Sequence, residues 1–185
     1  MPIRYESGKR IEVDILLGSV GQLSPPVPVR TQERRMWCWA ACLEMLIERE
    51  SSVDTRQCQL ASSAFGRSDC CLNADEPDCD RPLAASKVSG EMQKYGLSST
   101  LQRSALPFGE VCGEIQANRP IKAGLSLPAG GHAVLVVGYD TEEAGEWLLV
   151  HDPRDGLSRV RYSELLQAYG LGRWLLTWTS IRRGV

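Results

Sequence analysis

The chain has 185 residues but only two histidines, His132 and His151, against seven cysteines at 38, 42, 58, 70, 71, 79 and 112. Any imidazole chemistry must use one of those two rings. A cysteine becomes a nucleophile where its thiolate is favoured, and the free N–H groups and dipole of a first helical turn favour it. Cys38 meets that condition where a helix starts near Trp37. Gln32 stands six residues earlier, and its amide N–H can donate to an oxyanion forming beside sulfur. Trp37 and Trp39 flank Cys38 and can keep water from it. His132 follows Gly130-Gly131 and opens an apolar run, and Asp152 ends the next run. A carboxylate there accepts from one ring nitrogen and fixes the other toward sulfur. Each residue also has a plainer role open to it. Cys38 can be a small core residue, Gln32 a solvated amide, His132 a structural residue and Asp152 an Asx turn before Pro153. His151 precedes Asp152 in an alternating strand and so faces away from it; it is assigned a structural or surface role.

The elements that must position these groups read as helices first and strands second, an α+β plan. Residues 1 to 23 alternate around Ile11, Val13 and Ile15 as a short strand, and Ser24-Pro25-Pro26-Val27-Pro28 forms an extended linker. Residues 1–29 therefore read as an extension, a pro-segment or an export tail, and 30–185 as the main domain. Cys38, Ala41, Cys42, Met45 and Leu46 make the stripe of an amphipathic helix, with Glu44, Glu48, Arg49 and Glu50 on other faces. Further helices are expected at about 53–64, stopped by Gly66, at 83–94, and from Pro107 to Ala117. Strands are expected at 121–127, 133–137, 147–150, 160–162 and 173–181, with a brief helix capped by Ser163 before the last. Pairing of 132–139 with 147–152 through the 141–146 turn puts His132 and Asp152 at one end of the sheet.

Cys58, Cys70, Cys71 and Cys79 fall in and beside a polar, unpatterned loop over 67–82. The count is even, and Cys70 and Cys71 are adjacent, so each needs a separate partner. Cys58 with one and Cys79 with the other is the expected arrangement, leaving Cys38, Cys42 and Cys112 free. A four-thiolate zinc site, which would lack CxxC spacing, and four reduced thiols are the alternatives. Clustered thiols point to an oxidising destination. Met1 to Glu6 is not the start of a signal peptide, so the chain is expected to be secreted or translocated by another route, with a cytoplasmic home still open.

A hydrophobic content of 43% supports a core, while a net charge of -2 and a pI of about 5.8 make no electrostatic case for nucleic acid or an anionic membrane as partner. No run of 18 apolar residues exists to span a bilayer. No cofactor is called for.

Three blocks in order, Gln32-x5-Cys38-Trp39-Ala40-Ala41, His132-Ala133-Val134-Leu135-Val136-Val137-Gly138-Tyr139 and Val150-His151-Asp152-Pro153, resemble the signatures of papain-like cysteine peptidases. The likeness covers about residues 30 to 181 and extends to the small bacterial branches, the bacteriocin-leader peptidases and secreted effector proteases. It implies a papain-like fold, Cys38 as nucleophile, His132 as general base and acid, Asp152 as its orienter and Gln32 in the oxyanion hole. A protein or peptide is the implied substrate, and a secretion-apparatus adaptor or inhibitor protein a further partner. Large papain-type enzymes carry Asn-Ser-Trp where this chain has Asp152-Pro153, and the Cys-to-His separation here is shorter, so insertions that build the substrate cleft are missing. A glutamine deamidase or acyl transferase on the same site is the second expectation, and a catalytically silent binding module the third.

Overall fold

The computed structural model describes residues 19–51, 53–142 and 145–184. In chain order they form β1 (Val20–Gln22), α1 (Cys38–Ser51), α2 (Gln57–Phe65), α3 (Ala85–Lys94), β2 (Leu97–Gln102), α4 (Phe108–Gln116), β3 (Ile121–Leu127), β4 (Gly130–Asp140), β5 (Trp147–Asp152), β6 (Gly156–Arg161), α5 (Tyr162–Leu166), a 3-10 turn (Ala168–Gly170) and β7 (Arg173–Arg183). The strands make one antiparallel sheet in the order β2-β7-β3-β4-β5-β6, with β1 also paired to β4. This is the expected α+β architecture.

β4 is the spine of the sheet. His132 through Tyr139 are buried without a break, so both of its faces are covered, and α1 and α4 both pack on it. Its valines suit a pleated surface closed on both sides. β3 and β1 share one edge of β4 end to end: β3 pairs with residues 130–136 and β1 with 138–140. β5 takes the other edge, with a bulge between Val136 and Gly138.

α1 is more deeply set than its stripe implies. Every residue from Cys38 to Ile47 is buried, Glu44 included. The expectation that Glu44 lies on an outer face is therefore corrected. Its carboxylate accepts from Gln57 Nε2 at 2.9 Å, and the same amide nitrogen donates to the Thr31 carbonyl at 2.8 Å. Burial pushes the Glu44 carboxyl up, and the Gln57 bond offsets part of that.

Other boundaries move for local reasons. Gly66 ends α2 in the left-handed region at φ 65, donating to the Ser62 carbonyl, as the helix-stop reading requires. Pro107 precedes α4 in extended backbone instead of occupying its first turn. Ser163 lies inside α5, which starts at Tyr162; Glu164 accepts from the Arg161 N–H at 3.1 Å and closes that end. β2 was not expected, because Leu97-Ser98-Ser99-Thr100 lacks an apolar alternation; its partner β7 and a bulge between Ser98 and Thr100 define it. The strand expected around Ile11, Val13 and Ile15 lies outside the described residues.

The proline-rich stretch, expected to be extended, bends at Ser24 and Pro25 and is fastened down. Leu23 and Val27 are buried. The Ser24 N–H and carbonyl bond the Asn118 side chain at 2.9 and 2.7 Å, and Arg49 Nε donates to the Pro25 carbonyl at 2.9 Å. No helix among the described residues is long and apolar enough to cross a membrane.

The sheet leaves no room at Gly138. A Cβ there would lie 2.7 Å from the Gly21 carbonyl oxygen and 2.8 Å from Leu149 Cδ1. Gly138→Ala is expected to destabilise the fold by about 1–3 kcal/mol, seen as a lower urea midpoint at unchanged slope.

Candidate active site

Cys38 begins α1, so its backbone N–H has no helical carbonyl to meet. The turn before it is held from the other side by the cysteine-rich loop. Trp37 Nε1 donates to the Cys79 carbonyl at 2.8 Å and Trp39 Nε1 to the Arg81 carbonyl at 3.1 Å. The Met36 N–H donates to Asp80 Oδ1 at 2.8 Å, and Arg34 pairs with Asp75 at 2.9 Å. Both indoles are buried. The loop is closed by disulfides Cys58–Cys71 and Cys70–Cys79, while Cys38, Cys42 and Cys112 are free. That is the expected pairing, and it leaves none of those four sulfurs as a thiolate for zinc. Among the described residues, the one group of His, Cys, Asp and Glu atoms tight enough for a metal is Asp69, Cys70 and Cys79. Two of its members are bonded to each other.

The sheet supplies the other half. β4 carries His132 and β5 carries Asp152, and the antiparallel pairing brings His132 Nε2 to 2.8 Å from Asp152 Oδ1. The Arg154 N–H donates to the same oxygen at 2.8 Å. With Nε2 taken, Nδ1 is the ring nitrogen left for sulfur, and it has no hydrogen-bond partner among the described residues. The imidazole and the Cys38 thiol each shift the other's proton affinity. All three residues are buried, at 8%, 4% and 5% exposure for Cys38, His132 and Asp152.

The electrostatics follow from that coupling. Burial would raise the Cys38 thiol, but the hydrogen bond and charge of His132, with help from the Ala133 backbone and Lys122, carry it below its ordinary value. Burial would lower His132, yet Asp152 and Cys38 together bring it up to about 9. Burial likewise opposes ionisation of Asp152, and the His132 and Arg154 bonds overcome it and hold its carboxyl below the usual range. The arrangement favours a thiolate beside an imidazolium over two neutral groups. Burial pushes the Cys42 and Cys112 thiols up, Cys112 to about 11, and neither has an imidazole to oppose it.

Gln32 reaches the same place by a different route. Its N–H donates to the carbonyl of Pro153, the residue after Asp152, at 2.9 Å. Its Nε2 donates to the carbonyls of Arg34 and Arg35 at 2.8 and 2.7 Å, while Oε1 is buried without a partner. Both amide protons are therefore committed to the turn that leads into Cys38. His151 is buried at 5%, not at the surface, and lies opposite Leu135 and Leu157. Burial lowers its pKa, with the Pro28 carbonyl opposing.

Sequence reading missed Tyr169. Burial pushes its hydroxyl up, as do the charges of Asp152 and Asp155 and a bond to the Asp152 carboxylate. Ala168 and Tyr169 have φ of 44 and 61, a left-handed pair that no composition signal announces and that turns the chain back toward Asp152.

Two outcomes follow from this geometry. The His132 ring is expected to titrate near 9 by NMR of its Cε1 proton, and Asp152→Ala moves that midpoint down, because the group that retains the proton is gone. Replacing Cys70 and Cys79 together by alanine is expected to cost roughly 2–4 kcal/mol of stability and to strip hydrogen-exchange protection from the Trp37 indole N–H.

The comparisons agree with this fold. A family model described as papain-like cysteine protease AvrRpt2 matches residues 19–169. A Bacillus anthracis protein described as a C39-like peptidase superposes with a TM-score of 0.61 at 14% identity, over 89% of this chain and 99% of that one. The peptidase domain of Streptococcus ComA, a bifunctional ABC transporter of a quorum-sensing pathway, gives 0.58 at 11%, over 85% and 98%. A double-glycine-motif protease from an AMS/PCAT transporter, solved with its leader peptide, gives 0.56 at 16%, over 86% and 94%. At these identities the structural neighbours speak to fold alone. No curated protein matched the sequence. With most of its length covered by the family model, the chain belongs to the AvrRpt2 family of papain-like cysteine proteases.

Proposed function

We propose that this protease hydrolyses peptide bonds through a thioester on Cys38, with His132 as base and acid, Asp152 orienting it and Gln32 assisting the oxyanion. The observation that carries the reading is the Cys38–His132–Asp152 chain, in which His132 meets the carboxylate at 2.8 Å through Nε2 and keeps Nδ1 for sulfur. The thiolate attacks the scissile carbonyl carbon, and the C=O pair moves onto oxygen. The Cys38 N–H and one amide proton of Gln32, released from a turn carbonyl, receive that charge. His132 then gives its proton to the leaving amine as the C–N bond breaks. Water, deprotonated by His132, attacks the acyl carbon and returns the thiolate.

A peptide or protein substrate is supported by the solved neighbour bound to a leader peptide. Action outside a reducing cytosol, as a secreted or translocated protease, is supported by the two disulfides beside the nucleophile.

Cleavage of a proteome-derived peptide library, read by mass spectrometry, tests the reading. Wild type is expected to create new termini, Cys38→Ala none. His132→Ala lowers kcat/KM by about 10²–10⁴-fold, and Gln32→Ala lowers kcat by about 10²–10³-fold with little change in KM. Glutamines heavier by one mass unit, with no new termini, would mark a deamidase instead, and unchanged cleavage by Cys38→Ala would sink the mechanism.

A further inference from the structure

Gln32 sits in a stretch with no regular structure of its own. Residues 31–37 run into α1 as coil, bend and turn, and Thr31 and Glu33 on either side of Gln32 are exposed. A side chain on such a stretch has no fixed aim unless a rigid element supplies it. Two elements hold this backbone. The Gln32 N–H reaches the Pro153 carbonyl at 2.9 Å, at the end of the sheet beside Asp152. The second hold comes from Gln57, the first residue of α2, which is 1% exposed.

The Gln57 amide grips the chain on both sides of Gln32. Its Oε1 accepts from the Glu33 N–H at 2.9 Å, and its Nε2 donates to the Thr31 carbonyl at 2.8 Å. One primary amide thus meets the acceptor before Gln32 and the donor after it, as a neighbouring strand would. Nε2 also donates to Glu44 Oε2 at 2.9 Å. A carboxylate and a carbonyl both accept while a backbone N–H donates, so a single orientation of the amide satisfies all three.

Glu44 fixes that orientation. It is the one charged residue in the buried run from Cys38 to Ile47, where a leucine would fill the space without the cost of burying a carboxylate. It lies six residues after Cys38 on the same helix, about 9 Å along the axis at about 1.5 Å per residue. The helix that carries Cys38 therefore reaches, through Glu44 and Gln57, the backbone that carries Gln32.

We propose that Gln57 is a positioning residue of the active site: oriented by Glu44, its amide clamps Thr31 and Glu33 so that the Gln32 side chain is held where the oxyanion forms beside Cys38. Gln57 touches no substrate and acts through Gln32. The inference deepens the proposed mechanism and rests on it for its effect on turnover.

Hydrogen exchange and kinetics test it on wild type, Gln57→Met, Gln32→Ala and the double variant. Gln57→Met keeps the stem and removes the amide. The Gln32 N–H, which bonds Pro153 and not Gln57, is expected to exchange about tenfold faster in Gln57→Met. Its kcat on the peptide library is expected to fall about tenfold or more with little change in KM. In the Gln32→Ala background the same substitution is expected to change kcat less than about twofold, because the side chain it positions is gone. The pH profile of Cys38 alkylation by iodoacetamide is expected to coincide with that of wild type, since no oxyanion forms in that reaction. An unchanged exchange rate at Gln32 or an unchanged kcat overturns the proposal. A kcat loss that recurs in full on Gln32→Ala, or a shifted alkylation profile, overturns it too, by showing a general structural role.

Should Gln57→Met fail to fold, Glu44→Leu and Glu44→Gln carry the test. Leucine removes the orienting carboxylate and leaves no unmet charge in α1, so the urea midpoint is expected to hold while kcat falls. Glutamine keeps an oxygen for Gln57 Nε2 and is expected to hold kcat within about threefold of wild type. Wild-type kcat in Glu44→Leu overturns the proposal. Failure of the peptidase reading shows as no cleavage by wild type, or as cleavage surviving Cys38→Ala. The exchange rate at Gln32 uses no substrate, so the two failures are distinguishable.

Discussion

A sulfur anion does not survive burial on its own. The strongest single influence on Cys38 is loss of water, which opposes ionisation, and the neighbours reverse it. Everything near the site can be understood as what that reversal needs. His132 must keep a proton in a closed space, so Asp152 must be ionised beside it. Asp152 must be ionised while buried, so the Arg154 N–H turns to meet it. The relay is short because β4 and β5 are adjacent strands of one antiparallel pair, the tightest way to bring residues twenty apart in sequence within a hydrogen bond.

The helical side solves a different problem. A first helical turn is the part most prone to fray, and here it must hold its end steady against the sheet. Two buried indoles and a backbone N–H do this by reaching the loop around Cys79 to Arg81. That loop has no secondary structure of its own to stiffen it. Its two disulfides take that role, the more so because adjacent Cys70 and Cys71 pull toward different partners. The tryptophans beside Cys38 therefore serve as tethers as well as cover against water.

What was legible from the sequence is what depends on neighbours along the chain. The α1 stripe, the β4 run and the Gly66 stop are local patterns, and each of these elements lies where the pattern points. Glu44 was misread because periodicity assumes one wet face, while α1 has none, and Gln57 satisfies the carboxylate from another helix. β2 was missed because its strand character comes from β7, not from its own serines. Cys38, His132 and Asp152 were singled out by type and by place at element ends, and the fold brings them together. Tyr169 and Lys122 escaped for opposite reasons. Tyr169 arrives through two left-handed residues that carry no glycine to betray them. Lys122 looks like the polar member of an alternating strand, and only the covering of both sheet faces buries it.

The attachment of β1 determines where shortening of the chain does harm. β4 begins beside the imidazole and ends at Asp140, and Val20 is paired with that far end. Val20 therefore stands about 26 Å from His132 measured along the strand, at about 3.3 Å per residue. A cut ahead of Val20 leaves every pairing between β1 and β4 whole. A cut among Pro25 to Pro28 severs β1 from the domain it completes, and the Asn118 and Arg49 clamps on that stretch shield it from a processing enzyme. Maturation by trimming, if the chain undergoes it, is compatible with an intact sheet only upstream of the first strand.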